Sequence, residues 1–342
     1  MISSAHLAGH GHHSIHEIPP LRAKEMLESH LLWDFTCSSE FISWTSSLLF
    51  ALQHAIRKAY FRNESDVCIC ILNTRKLEEV SIYPATVLLK AYGVRGEGKL
   101  RHEYYIAEYL AHGRIEDTDS FGVARLEDLL SRGLFALFRE MDDEETKKRL
   151  YNGVAQLRDK FFAQPSSVTA SEVKSLKGFG MLFGGEFALP MAVAFLSLRL
   201  RPLRDENFLK RALDGLRGLE IPVDFFGEDY IASGPKFTVR GLHEVAQFMD
   251  LMWAIFNEKF EARPQHSHED ALTQQLSNLS LDSGGRVEPS SRAHLANDRD
   301  IANDREPACL EELDWDDSSS SDAEYVRFVD DSDTGGDAEE EN

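Results

Sequence analysis

The sequence predicts an α+β protein: a small sheet domain followed by a mainly helical region and a disordered acidic tail. Three observations predict this fold class. Short apolar runs of strand length occur in the first third of the chain, helical apolar spacing dominates the middle, and the last segment is acidic and poor in apolar residues. The predicted segments are a disordered, His-rich N-terminus (1–20), an α/β domain (21–118), a helical region (119–262) and the tail (263–342).

The acidic tail carries most of the net charge. Residues 265–342 hold 22 Asp and Glu against 5 Arg and no Lys, whereas the preceding residues have a net charge of −4. Such a segment cannot bury enough apolar surface to offset its ordering entropy, so we expect it to be disordered. The net charge of −21 for the whole chain argues against nucleic acid as a partner. A membrane-spanning helix needs roughly 20 apolar residues, and no run reaches that length.

The first predicted elements are a short helix, a strand and a longer helix. Apolar spacing predicts a helix over 21–32, and residues 41–47 are extended. The apolar positions of 48–59 share one helical face, and Ser46 or Ser47 is a natural N-cap for that helix.

The rest of the sheet domain contains two further apolar runs. The continuous run 67–72 predicts a strand buried on both faces, and therefore central in its sheet. We expect 81–84 to be a connection into a short helix over 85–91, and 104–110 to form a second strand.

The helical region is defined by apolar periodicity and capping signals, among them the capping box from Thr169 to Glu172. Arg199, Arg201 and Arg204 form a small basic cluster that we expect on a solvated face. The predicted helices are 123–141, one leading from 142 to 162, one beginning at Thr169, 187–200, 205–216 and 239–260.

The cysteines and histidines predict no metal site. The four Cys form no C-x-x-C pair, and the His cluster of the first 20 residues has no carboxylate or Cys frame. Reduced thiols are typical of a cytoplasmic or nuclear protein, which is the location we expect.

Two segments carry the most specific pattern in the chain. They are Phe41-Ile-Ser-Trp-Thr-Ser-Ser-Leu-Leu-Phe-Ala-Leu-Gln-His-Ala55 and Glu108-Tyr-Leu-Ala-His-Gly-Arg-Ile115. Together with Cys68-Ile-Cys-Ile-Leu-Asn-Thr-Arg75, they resemble a fungus-specific family of unknown function, domain-of-unknown-function family 7587. The resemblance covers roughly residues 30–118 and implies no particular activity.

The same two segments also resemble the ADP-ribosyltransferase superfamily, in which a Ser-Thr-Ser-like strand end precedes a helix and a later strand carries a Glu. Ser43, Thr45 and Ser46 fall on the first motif, and Glu108 falls on the second. The resemblance implies NAD as the dinucleotide, with Glu108 as the catalytic carboxylate. Ser43, Thr45 and Ser46 would then bind the dinucleotide, and Trp44 would stack on the nicotinamide.

The sequence leaves two functions open. The superfamily usually grips the dinucleotide through an Arg or His on an early strand, and the nearest candidates here are Arg22 and His30. Because no early strand is predicted around them, the sequence favours a non-catalytic or degenerate module that binds a protein partner. The alternative is an active NAD-dependent ADP-ribosyltransferase. If neither applies, Ser43 is an ordinary strand-end residue and Glu108 an outward-facing carboxylate. The sequence does not specify an oligomeric state.

Overall fold

Two small antiparallel sheets and a set of helices make up the described part of the computed structural model. The structure describes residues 14–34, 39–77, 81–112, 120–221, 225 and 241–261. All of them belong to one unit, Met1–Gln275, and the predicted acidic tail lies outside the described residues. The predicted α+β class is confirmed as a mixture of helices and small antiparallel sheets.

The strands and helices alternate early in the chain, and helices dominate later. The strands are β1 (Phe41–Thr45), β2 (Cys68–Leu72), β3 (Ser81–Pro84), β4 (Glu108–His112) and β5 (Phe121–Arg125). The helices are α1 (Pro20–Leu31), α2 (Leu48–Phe61), α3 (Ala85–Ala91), α4 (Leu126–Ser131), α5 (Leu134–Leu137), α6 (Glu144–Lys148), α7 (Tyr151–Phe162), α8 (Ala170–Gly180), α9 (Gly185–Leu196), α10 (Glu206–Gly215) and α11 (His243–Glu261).

The larger sheet has the order β1-β4-β3, with both pairs antiparallel. Ser43 lies opposite Leu110 and Thr45 lies opposite Glu108. Directly opposed residues of an antiparallel pair point to the same face, so all four share one face of the sheet. Helices α1 and α3 cover this face, and a small apolar core fills the space between. It includes Ile15, Leu27, Leu31, Phe41, Leu88 and Leu110.

The second sheet pairs β2 with β5 and belongs to a larger core built mainly from helices. Helix α2 confirms the predicted 48–59 helix, and Ser47 is its N-cap, since the Ser47 hydroxyl accepts the Phe50 N–H. Helix α8 likewise begins at the predicted capping box, where Thr169 accepts the Glu172 N–H. The buried helix predicted near 187 is α9, which is apolar on nearly all sides.

The prediction of a central, doubly buried strand at 67–72 is wrong. Among the described residues, β2 pairs only with β5 in a two-stranded sheet. Only Ile69 is buried in β2, while Cys68 is exposed and the other three residues are half-buried. An unbroken apolar run is compatible with a partly covered strand, because aliphatic side chains tolerate partial exposure.

Two boundaries in the sheet domain also differ from prediction. Residues 81–84 form strand β3 rather than a connection. The strand predicted over 104–110 begins only at Glu108, because residues 102–105 form a 3-10 turn. Tyr105 is buried in that turn, and its hydroxyl donates to backbone carbonyls. The burial of Tyr105 accounts for the apolar pattern that predicted a strand, although the backbone at this residue is a 3-10 turn.

The prediction of one long helix over 123–141 is wrong at both ends. Its start belongs to β5, where burial alternates with a period of two from Gly122 to Arg125. The remainder is divided between α4 and α5, and Gly133 separates them with a φ of 94°, which favours glycine.

The basic cluster near the end of α9 lies only partly on a solvated face, because Arg204 is exposed but the other two arginines are paired and at least partly buried. The Arg201 side chain is completely buried and pairs with Glu172, and Arg199 pairs with Glu140. A guanidinium without a partner would be too costly to bury, and these two carboxylates make the burial tolerable. In the parts of the chain that the structure describes, no helix has the length and apolarity to cross a membrane.

Candidate functional site

The two segments singled out in the sequence meet on adjacent strands. The Ser43 hydroxyl on β1 donates a 2.6 Å hydrogen bond to Oε1 of Glu108 on β4. In the strand register the two residues are diagonal neighbours, one pair apart on the same face. Ser43 is exposed and Glu108 is half-buried, so the pair lies at an accessible edge of the sheet.

A histidine from the covering helix completes the arrangement. His30 lies at the C-terminal end of α1, and its Nε2 is 2.9 Å from Ser43 Oγ. Its Nδ1 is 2.8 Å from Ser39 Oγ, and Ser39 accepts the Phe41 N–H at 3.1 Å. A continuous chain of hydrogen bonds therefore runs from the start of β1 through the imidazole to Glu108.

The proton positions in this chain follow from counting donors. When Glu108 is ionised it can only accept, so the single Ser43 proton must point towards it. Ser43 Oγ must then accept a proton from Nε2 of His30. In a neutral imidazole Nδ1 is then unprotonated, so it accepts a hydrogen bond from the Ser39 hydroxyl. With His30 neutral, every donor in this series of hydrogen bonds therefore faces an acceptor.

Burial sets the charge states of the two titratable members. Burial lowers the pKa of His30 to about 4, so the imidazole is neutral at pH 7. Burial also raises the pKa of Glu108 above its ordinary value, and the hydrogen bond from Ser43 partly opposes that rise. Burial, with a further contribution from the Glu108 charge, raises the pKa of the Tyr105 hydroxyl.

The other predicted binding residues are distributed differently. Thr45 shares the Glu108 face, but its Oγ1 accepts the Ser47 N–H at 3.1 Å. Ser46 extends the strand ladder, with its N–H donating to the Ala107 carbonyl oxygen at 2.9 Å. The hydroxyls of both residues have hydrogen-bond partners other than Glu108: the Ser47 N–H for Thr45 and the Ala107 carbonyl oxygen for Ser46.

Trp44 points to the opposite face of β1 because side chains alternate along a strand. Its ring stacks on Phe121 of β5 with a centroid distance of 6.3 Å, and Tyr109 lies opposite it in the register. Within the described part of the chain, its buried Nε1 has no hydrogen-bond partner. The structure therefore does not bring Trp44 to the Ser43–Glu108 pair.

An exposed row of aromatic rings, which we name the aromatic shelf, lies beside α1 and α2. Trp33 stacks on His54, His54 contacts Phe50, and Phe50 contacts Tyr151. Trp33 is 41% exposed and has a φ of 56°, a left-handed conformation that costs a non-glycine residue about 1 kcal/mol. Burial, with a contribution from neighbouring basic groups, lowers the pKa of His54 to about 4. The shelf is thus an uncharged, partly strained aromatic surface.

Of the two candidate grip residues, only His30 reaches the site. Arg22 is exposed near the start of α1, whereas His30 is the next-to-last residue of that helix and contacts Ser43 of β1. The resemblance to the superfamily implies an early strand for this residue, whereas His30 lies on helix α1. Ser39 was missed altogether, because a single Ser in a loop carries no sequence signal of its contact with His30.

One cavity in the described structure is lined by none of the candidate site residues. This cavity, of about 180 Å³, lies between the end of α2 and the β2–β5 sheet, where Arg125 and Asp66 form an ion pair. In the described ranges, no cluster of three His, Cys, Asp or Glu side chains is placed to hold a metal ion.

The comparison with known families matches the part of the chain that contains the candidate site, and it does not extend into the helical region. Residues 2–119 match the family described as Domain of unknown function (DUF7587). The match spans about a third of the chain and includes His30, Ser39, Ser43 and Glu108. No curated protein and no solved structure was found to match the chain. The DUF7587 match covers the segment that contains strands β1–β4 and states no activity for it.

Proposed function

We propose that the DUF7587-matching part of the chain binds NAD at the Ser43–Glu108 pair and transfers its ADP-ribose group to an acceptor. The observation that carries the proposal is the 2.6 Å hydrogen bond from Ser43 to Glu108 on adjacent strands. His30 contacts the same Ser43 oxygen. In this proposal it takes the place of the dinucleotide-binding Arg or His that the superfamily usually has on an early strand.

The side chains present suit the chemistry of this reaction. Cleavage of the bond between nicotinamide and C1′ of the ribose sends the electron pair to the nicotinamide and leaves positive charge on the sugar. A carboxylate at the position of Glu108 stabilises that charge and accepts a ribose hydroxyl hydrogen bond. The exposed Ser43 oxygen has a second acceptor lone pair that would take a ribose hydroxyl proton, and the Nε2–H of His30 would hold that oxygen in place.

Release of nicotinamide from NAD tests this proposal. We expect the full chain to release nicotinamide, and Glu108→Gln to reduce the rate at least 100-fold, the scale of losing one electrostatic stabiliser. Glu103→Gln is the matched control, because Glu103 is an exposed carboxylate in the preceding turn. Equal rates in the two variants, or no release by the parent, would count against a transferase.

The second candidate is a non-catalytic module that binds a protein partner, and the aromatic shelf favours it. Trp33 and Tyr151 are 41% and 49% exposed, and aromatic side chains of this kind are enriched in protein interfaces. Under this candidate, Trp33→Ser reduces the amount of co-purifying protein at least several-fold. Leu21→Ser is the control, since Leu21 is 71% exposed and lies at the other end of α1. Equal capture by both variants argues against the shelf as an interface.

A cytoplasmic or nuclear location remains part of the proposal. Its support is that Cys68 and Cys70 are free thiols in the described structure. Fractionation of cells that express the full chain, with detection in each fraction, tests this location.

A further inference from the structure

The strand that carries Ser43 is tied to the last described helix by a buried carboxylate. Glu244, in the first turn of α11, is only 3% exposed. Its Oε1 accepts the Ser47 hydroxyl at 2.7 Å, and Ser47 directly follows the Ser43–Ser46 motif. Ser47 and Glu244 are 197 positions apart in the sequence, so this contact joins distant segments of the chain.

The negative charge of the Glu244 carboxylate is balanced by an arginine. Arg158 of α7 binds it through two nitrogens, with Nε at 3.0 Å from Oε2 and Nη2 at 2.7 Å from Oε1. Burial alone would raise the pKa of Glu244, but Arg158 and the Ser47 hydroxyl hold it below its usual value. A paired, ionised carboxylate is therefore available to fix the Ser47 hydroxyl.

Helix α11 is also held by hydrogen bonds to the segment that follows α9. Three residues after Glu244, Gln247 donates to the carbonyl oxygens of Ser197 and Arg199 and accepts the Arg201 N–H. The first turn of α11 thus contacts the C-terminal end of α9 through Gln247 and the end of β1 through Glu244. Only the second contact reaches the candidate site.

Two hydrogen bonds connect the segment around Ser47 to the neighbourhood of Glu108. The Ser47 N–H donates to Thr45 Oγ1, and Thr45 is the register partner of Glu108. The Ser46 N–H donates to the carbonyl oxygen of Ala107, the residue before Glu108. Ser47 also caps α2, so its position determines where β1 leaves β4.

We propose that Glu244 is a positioning residue for the Ser43–Glu108 pair and acts through Ser47. Both Glu244 and Arg158 lie outside the DUF7587 match at 2–119, so the helical region completes the site. The inference concerns the geometry of the pair and does not depend on NAD being the ligand.

The test measures the pKa of the Glu108 carboxyl by carbon NMR in the unliganded full chain. In Glu244→Gln, Ser47 loses its charged acceptor and the Ser43 hydrogen bond weakens. The Glu108 pKa then rises by roughly 0.5–1 pH unit, the scale of one lost hydrogen bond to a carboxylate. Because no ligand is present, this result is independent of the outcome of the nicotinamide assay.

Glu172→Gln is the matched control. Glu172 also pairs with a buried arginine, Arg201, at 2.6 Å, but this pair does not touch β1. We expect a comparable loss of thermal stability with an unchanged Glu108 pKa. An unchanged Glu108 pKa in Glu244→Gln, or equal shifts in both variants, would overturn the proposal and leave Glu244 as a purely structural residue.

A milder variant covers the case in which Glu244→Gln does not fold. Ser47→Gly removes the hydroxyl that donates to Glu244, and glycine costs only a few tenths of a kcal/mol at an N-cap. Ser47→Thr keeps both the cap and the hydroxyl. The proposal requires a raised Glu108 pKa in Ser47→Gly and the parent value in Ser47→Thr, and any other pattern contradicts it.

Discussion

Ser43 Oγ lies 2.9 Å from Nε2 of His30, and because the Ser43 proton points towards ionised Glu108, Ser43 must accept the imidazole proton. Nδ1 of the neutral ring then accepts the Ser39 hydroxyl proton over 2.8 Å. The strand serine therefore determines which nitrogen carries the proton, and the loop serine hydrogen-bonds to the other nitrogen.

Removing the Ser43 hydroxyl should disturb the tautomer of His30. In Ser43→Ala, Nε2 loses its acceptor, while the Ser39 hydroxyl can donate to Nδ1 or accept from it. We therefore expect both neutral tautomers of His30 in nitrogen NMR spectra, with a stability loss of about 1 kcal/mol. Ser131→Ala is the control, because the Ser131 hydroxyl donates to the nearby Asp128 carbonyl oxygen. A single Nε2–H tautomer in Ser43→Ala would show that Ser43 does not determine the position of the proton.

The stability of the fold should fall as the pH decreases from 6.5 towards 4. Burial lowers the folded-state pKa values of His30 and His54 to about 4, whereas an unfolded histidine titrates near 6.5. Below pH 6.5 the unfolded chain therefore binds protons that the folded chain does not. The loss approaches about 1.4 kcal/mol per pH unit for each histidine. The raised pKa of Glu108 acts in the opposite sense, since stability from that group increases as the pH falls.

Urea unfolding of the parent and of His54→Gln at pH 7 and pH 5 isolates one histidine. We expect the variant to lose less free energy of unfolding than the parent over this interval, by about 1–2 kcal/mol. If the two proteins lose the same amount, His54 is not held neutral by burial.

The contact between α8 and α9 should not tolerate a side chain at Gly180. A Cβ at this position would overlap the carbonyl oxygen of Ala188, which belongs to the backbone of α9 and cannot move independently. We expect Gly180→Ala to cost about 1–3 kcal/mol in chemical unfolding, the range for overpacking. Gly185→Ala is the control, because a Cβ there meets nothing within 4 Å. Equal stabilities of the two variants would contradict this packing.

The sequence predicted elements whose signals are local. The N-cap at Ser47, the capping box at Thr169 and the amphipathic helix α2 depend on neighbouring residues, and the structure has each of them. The predictions that were wrong concern features that tertiary contacts determine. The position of β2 in its sheet depends on its strand partner β5, and the start of β4 depends on the burial of Tyr105.

The candidate site divides in the same way. The sequence pattern singled out Ser43 and Glu108 as a pair, and strand alternation alone could have shown that Trp44 points away from them. The contribution of Ser39 could not be predicted, because its contact with His30 bridges a loop and a helix. The contact of Glu244 with Ser47 joins residues 197 positions apart, and no local pattern records it.

The thermal shift of the full chain on adding NAD tests the central claim most directly. A ligand at 100 times its dissociation constant stabilises a protein by about 2.7 kcal/mol, which corresponds to roughly 5–10 °C for a domain of this size. We predict a shift of that order for the parent and a clearly smaller one for Glu108→Gln, which lacks the carboxylate that would accept the ribose hydroxyl. No shift in the parent at millimolar NAD would contradict the claim that the Ser43–Glu108 pair is a dinucleotide site.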